Sequence, residues 1–171
     1  MPEGLWQKCP GCEAMLHQLE LEENIRVCHK CGHHFTLTAP ERIASLVDEG
    51  SWEEFDDTLE TIDPLQFLDY GKKVKKYQER TDLKDAVVTG EGKIGGFPVV
   101  LGIMDFRFLG ASMGSVVGEK ITRAIEAATD MSKPVILFSA SGRARMHEGI
   151  LIRMQMGKTS AALARHHQAN L

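Results

Sequence analysis

Nowhere in the 171 residues does an apolar run approach the roughly 18 that a membrane-spanning helix needs, which excludes a transmembrane reading of the sequence. The start, Met1-Pro2-Glu3-Gly4-Leu5-Trp6, lacks both a basic stretch and an apolar stretch, so no secretory leader is read there and a cytoplasmic chain is the expectation. Charge of one sign is also missing in excess. With 20 Lys and Arg against 24 Asp and Glu, the net charge of -4 argues against a protein built to coat nucleic acid or an anionic membrane. Neither an internal repeat nor a low-complexity segment is present. What remains is a chain with 43% hydrophobic residues, enough for one core and a small appendage but too short for two full enzyme domains.

Cysteine is scarce but patterned. The four fall as Cys9-Pro-Gly-Cys12 and Cys28-His-Lys-Cys31, two C-x2-C pairs separated by fifteen residues. This spacing lies in the window of a tetrahedral zinc site, where each pair sits on a tight knuckle and the two knuckles close the coordination shell. Four thiolates leave no open position, so the metal is expected to be structural. Paired disulfides or unliganded thiols are the alternative. His17, His29, His33 and His34 crowd the same segment and read as surface or packing residues, because four cysteines suffice.

Charge divides the rest into blocks. Residues 1–38 carry three bases against five acids, residues 39–70 carry ten acids opposed only by Arg42, and Lys72, Lys73, Lys75, Lys76, Arg80 and Lys84 then reverse the sign. That basic run reads as a solvated helix face rather than an anion site. Thr38-Ala39-Pro40-Glu41 is a capping box that predicts a helix bearing Ile43, Leu46 and Val47 and stopping at Gly50. Ser51 with Glu54 offers a second helix start, and Pro64 and Gly71 mark a connection before the basic segment. Ala86–Thr89, Lys93-Ile94, a Gly95-Gly96 turn and then 97–106 predict antiparallel strands. Beyond the small-residue loop Gly110-Ala111-Ser112-Met113-Gly114, a helix is predicted from Ser115 to about Thr129. Pro134–Phe138 reads as a buried strand delivering Ser139-Ala140-Ser141-Gly142 onto a turn, followed by a helix from near His147 to about Arg165.

Taken in order, the four-cysteine ribbon, the run from Leu83 to Gly92, the run from Ser112 to Ala124, Ser139-Ala140-Ser141-Gly142, Ala144-Arg145-Met146, Met154-Gln155-Met156 and the run from Lys158 to Arg165 resemble the carboxyltransferase β subunits of bacterial acetyl-CoA carboxylases. The resemblance spans nearly the whole chain. It implies an α/β fold class: an N-terminal four-cysteine zinc ribbon over 1–38, a helical connecting segment over 39–84, and over 85–171 the first part of a crotonase-like (ClpP/crotonase superfamily) core of ββα units. The family continues beyond the position of Asn170-Leu171, so the sequence reads as a truncated member or fragment with an incomplete core.

The resemblance also implies a reaction, in which the carboxyl group of carboxybiotin on a biotin carboxyl carrier protein passes to acetyl-CoA, giving malonyl-CoA for fatty acid synthesis. Its partners are the carboxyltransferase α subunit, in an α2β2 heterotetramer, the carrier protein and biotin carboxylase. Both the thioester enolate and the ureido oxygen of biotin carry negative charge in such a transfer. Fixed N–H donors at a Gly-rich turn or a helix N-terminus stabilise that charge. In the family a Gly-Gly pair aligning with Gly142 and Arg143 forms such an oxyanion hole, and Gly110, Ala111, Ser112, Met113 and Gly114 form a substrate-binding loop. Arg143 departs from the second glycine, which predicts backbone strain at a positive φ and a side chain in substrate space, and Ala111 departs more mildly from a usual glycine. A bland alternative is that Gly142 only ends a strand.

Two further readings stay open. An inactive scaffold that engages the α subunit fits the shortened core. A nucleic-acid-binding ribbon fits the four cysteines and the basic residues at 72–84, Arg143, Arg145, Arg153 and Arg165, although the ribbon's own net charge of -2 opposes it.

Overall fold

The computed structural model describes residues 5–140 and 142–171; Met1 to Gly4, and Ser141 of the Ser139–Gly142 motif, lie outside the described residues. The chain forms two compact units, Met1–Leu37 and Thr38–Leu171, so residues 39–84 belong to the same unit as the segment that follows them.

In the first unit, strands β1 (Trp6–Lys8) and β2 (Met15–His17) pair antiparallel, with Trp6 opposite His17. Their rings meet edge to face at 5.0 Å. The His17 imidazole then accepts the N–H of Leu19 and so starts the short helix α1 (Gln18–Glu23). Leu16 and Leu21 bury their side chains against Cys9 and Cys28, so a core of only a few side chains is built around two of the thiols. So small a core stabilises little by itself.

The second unit opens with α2 (Ala39–Leu46). Both halves of the capping box form: Thr38 accepts from the N–H of Glu41, and the Glu41 carboxylate accepts from the N–H of Thr38. A buried carboxylate, Asp105, accepts the N–H of Ala39 at the same end. The helix ends at Val47, earlier than Gly50. The segment at Ser51 does not begin a helix. Instead Glu53–Phe55 form strand β3, antiparallel to β4 (Val87–Ile94) opposite Glu91, Gly90 and Thr89. The missing side chain at Gly90 admits the Trp52 ring and the Glu53 carbonyl, and Phe55 packs against Val100, Ala124 and Ala128. Tertiary packing thus overrides the local helix signal.

Helix α3 (Tyr70–Thr81) carries the basic run and starts before Gly71, which falls in its first turn rather than in a connection. Burial of Tyr70, Val74 and Thr81 on one face anchors it. Strands β4 and β5 (Phe97–Met104) form a hairpin in full register from Val87↔Met104 to Ile94↔Phe97. Its two-residue loop needs positive φ at both positions, which Gly95 and Gly96 supply at 58° and 84°. Both of their N–H groups are accepted by the Asp48 carboxylate, at 2.9 and 2.7 Å.

From β5 the chain crosses over through α4 (Ser115–Asp130) to β6 (Val135–Phe138), which pairs parallel to β5. The sheet order is β3-β4-β5-β6. Helix α4 covers the sheet with Val117, Ile121 and Ile125 on one cluster and Ala124 and Ala128 on another. Helix α5 (Leu151–Gln168) runs alongside α4 in the same direction, joined by Glu119–Lys158 and Glu126–Arg165 ion pairs and by Thr129 with His166 at 2.9 Å. It begins four residues later than the pattern from His147 predicts, because 146–148 form a separate 3-10 turn. The apolar run of β6 is not fully buried: Ile136 and Leu137 are 40% and 37% exposed, because β6 is the outer strand of the described sheet.

Candidate functional site

The four cysteines converge. Their sulfurs all lie within 4.8 Å of one another, and among the described residues no histidine, aspartate or glutamate joins that group. Backbone turns build each knuckle: Cys9 accepts from the N–H of Glu13, and Cys28 accepts from the N–H of Gly32. The Cys9–Cys31 and Cys12–Cys28 sulfur separations are 3.6 and 3.8 Å. A disulfide needs about 2.05 Å. A tetrahedron with metal–sulfur bonds of about 2.3 Å has edges of about 3.8 Å. The sulfurs therefore fit a closed four-thiolate shell.

Their proton affinities are pulled apart. Burial pushes the Cys28 thiol up, but the N–H groups of Lys30 and Cys31 and the neighbouring sulfurs outweigh it and bring it to about 7. At Cys31 the N–H of His33 favours the thiolate. Burial and the other three sulfurs prevail and push it up to about 12. Four thiolates this close repel one another unless a cation sits among them.

The second site lies at the ends of β5 and β6. The loop 110–114 and the turn 142–145 are zipped together: Gly142 donates to the Gly110 carbonyl at 3.0 Å, Met113 to that of Arg143 at 3.1 Å, and Arg145 to that of Met113 at 2.9 Å. Met113 and Ala144 form a parallel bridge. A cavity of about 530 Å³ opens against this seam. Gly110, Ser112, Gly142 and Arg143 line it, with Lys73 and Tyr77 from α3 and Phe106 and His147 beside them. Of the sequence-derived loop, Ala111, Met113 and Gly114 do not line the cavity. Ala111 is fully buried with φ of 50°, a left-handed value that glycine adopts without strain. Arg143 does not occur among the described residues with positive φ, so the strain expected there is absent.

Two features redirect the expected chemistry. The Gly142 N–H is committed to the Gly110 carbonyl. The N-terminus of α4 is occupied from within, because Glu148, fully buried, accepts the N–H of Ser115 at 2.6 Å with one carboxylate oxygen and the Tyr70 hydroxyl at 2.6 Å with the other.

Behind the seam lies a charged cluster that sequence reasoning missed. Arg145 is held by Asp85 through two hydrogen bonds, at 2.8 and 2.6 Å, and reaches Ser112 and Thr61. Thr61 also donates to Asp85. Burial opposes the Arg145 charge, but Asp85 more than restores it, so its proton is held more tightly than usual. Burial likewise pushes the Tyr70 phenol up. His147 stacks on Tyr70 at 4.7 Å, and its Nδ1 is buried with no hydrogen-bond partner among the described residues. Burial, then the nearby Lys73 and Arg145 charges, hold it below the ordinary imidazole value, which favours a neutral ring.

Comparison with known proteins places these features in a family. Residues 33–170 match the carboxyl transferase domain, and residues 6–31 match the acetyl-CoA carboxylase zinc finger domain. The acetyl-coenzyme A carboxylase carboxyl transferase subunit beta of Synechococcus sp. (strain JA-2-3B'a(2-13)) is 58% identical over 170 residues, covering 98% of this chain and 54% of that protein. The subunit of the same name from Desulforamulus reducens is 58% identical over 171 residues, covering 100% of this chain and 59% of its own length. The chain thus spans little more than half of these relatives. Among solved structures, the transcarboxylase 12S hexamer with methylmalonyl-coenzyme A and methylmalonic acid bound superposes with a TM-score of 0.65 at 31% identity, over 74% of this chain and 23% of that one.

Proposed function

The chain belongs to the carboxyl transferase domain family, and on that premise we propose that it is the β component of an acetyl-CoA carboxylase carboxyltransferase. In that role it moves the carboxyl group of carboxybiotin, borne by a carrier protein, onto acetyl-CoA to give malonyl-CoA. The transfer breaks the bond between the carboxyl carbon and the ureido nitrogen, forms one from that carbon to the thioester methyl carbon, and returns the methyl proton to the nitrogen. The observation that carries this reading is the cavity on the seam where the runs 112–124 and 144–146 meet. Among the described residues no carboxylate lines it, while Lys73, Arg143 and Arg145 do, which suits an anionic acyl thioester.

Within this reading the residues divide the work. Lys73 attracts the negative charge of the substrate, and Tyr77 and Phe106 give it an apolar wall. The turn at Gly142-Arg143 stands beside the developing oxyanion, with the Gly142 N–H donated to the Gly110 carbonyl. His147 stays neutral at the cavity wall.

Zn²⁺ fits the cysteine cluster, held by Cys9, Cys12, Cys28 and Cys31. When bound, it supplies the folding energy that the small core of the first unit lacks. Its partners in this reading are the carboxyltransferase α subunit, in an α2β2 complex, the biotin carboxyl carrier protein and biotin carboxylase, in the cytoplasm. Among the described residues no helix is long and apolar enough to cross a membrane.

Reconstitution tests the proposal. Labelled bicarbonate, MgATP, biotin carboxylase, carrier protein and acetyl-CoA are supplied with an α subunit, with or without this chain. Label is expected in malonyl-CoA only when α and this chain are both present. Complete absence of label, with an α subunit that is active beside a relative's β, would refute the assignment.

A further inference from the structure

We propose that Arg145 and Glu148 are positioning residues that lock loop 110–115 onto the turn 142–145, so that the cavity is preformed. Deepening the carboxyltransferase reading, this assigns roles to two buried residues, Arg145 at the cavity wall and Glu148 behind it.

The geometry of Arg145 exceeds what an internal ion pair requires. Neutralising Asp85 takes only two of its N–H groups, donated at 2.8 and 2.6 Å. Others go to Ser112: Nε to its hydroxyl at 3.2 Å and Nη2 to its carbonyl at 2.9 Å. Nη1 also reaches Thr61 at 3.2 Å. A planar guanidinium with five fixed donors can serve these acceptors together, whereas an ammonium cannot. Ser112 lines the cavity, and Arg145 is 2% exposed. Moving the loop therefore breaks two charge-assisted bonds.

Glu148 completes the clamp three residues on. It ties the first N–H of α4 to the Tyr70 hydroxyl of α3, so the end of the loop, the turn and the basic helix share one carboxylate. It also fills the positive end of α4 with an internal anion, which directs a ligand's charge toward Lys73.

A purely structural role and a positioning role separate experimentally. Arg145→Lys keeps a cation beside Asp85 but loses the fork to Ser112. The pair Asp85→Asn with Arg145→Met removes the Asp85–Arg145 ion pair, leaves Glu148, 3.6 Å from Arg145 in the native chain, to its hydrogen bonds with Tyr70 and Ser115, and still lacks the grip on Ser112. Amide exchange is measured on the whole chain in each variant, together with acetyl-CoA binding. Exchange at Met113, Gly142 and Arg145 is expected to rise by about tenfold or more relative to Val88 and Ile103 in both variants. Acetyl-CoA affinity is expected to fall by about tenfold or more in both. Wild-type protection at Met113 and Arg145 in the double variant, or a uniform rise that includes Val88 and Ile103, overturns the proposal. If the unmodified chain does not bind acetyl-CoA, the carboxyltransferase reading fails while the exchange result still decides the positioning role.

Discussion

Cys28 holds two tasks in one residue: its carbonyl closes the second knuckle, and its sulfur lies 3.8 Å from that of Cys12. Replacing it with Ser is expected to abolish stoichiometric zinc and to unfold residues 5–37, while the second unit keeps its helical circular dichroism. Elemental analysis and Trp6 fluorescence check this, and retention of one zinc per chain would show that the cluster is not the site. Arg143 offers a different test, because its backbone carries no left-handed strain and any effect must come from its side chain. In the complex with α, Arg143→Gly is expected to raise turnover by about tenfold or more if the guanidinium crowds the substrate. Equal rates place that side chain outside the reaction, and a faster Arg form overturns the role given to this turn. At His147 the proton affinity is lowered by folding, so the unfolded chain binds the proton more readily. Its contribution is therefore complete above the ordinary imidazole value and declines as pH falls through it. Melting temperature is expected to drop between about pH 7 and about pH 5, and His147→Gln should flatten that part of the profile. Asp105 and Glu119, both lowered, act only at more acidic pH.

At the scale of the element, β3 depends on a side chain that is not there. A Cβ at residue 90 would lie 2.4 Å from the Glu53 carbonyl and 2.7 Å from the Trp52 ring. Gly90→Ala is expected to detach β3 and to cost about 1–3 kcal/mol, read as a lower denaturant midpoint. Thr38→Ala, by contrast, loses only the cap of α2, about 1 kcal/mol. The same two elements show what the sequence makes legible. Helix α2 announces itself through four adjacent residues, and the β4–β5 hairpin through Gly95-Gly96 and its flanking apolar residues, so local chemistry suffices. β3 has three residues, two of them Glu, and becomes a strand only because β4 is beside it. The cavity follows the same division. Gly110, Ser112, Gly142 and Arg143 sit in segments that composition and resemblance both pick out. Asp85 and Arg145 are 60 residues apart, and Tyr70 and Glu148 are 78, with no pattern to couple them before the chain folds.

At the scale of the whole molecule, much apolar surface faces solvent. Ile62 and Leu68 are 73% and 84% exposed on the segment before α3, and Met146 and Ile150 are 76% and 66% exposed beside the second turn. Patches of this kind favour association. Sedimentation of the isolated chain is expected to show self-association that grows with concentration, and Ile62→Ser with Leu68→Ser should weaken it; a strictly monomeric chain at high concentration would contradict this. The topology carries one more consequence, for the order in which the molecule is made. The hairpin of β4 and β5 closes through two residues, whereas β6 can join β5 only after the whole of α4 has been laid across the sheet, with Phe138 pairing to Ile103. Contacts so distant in sequence are entropically slow to form. The turn that follows β6 is therefore the late part of folding, and substitutions there should accelerate unfolding while leaving the folding rate nearly unchanged. A nascent chain would hold its hairpin well before it held a cavity.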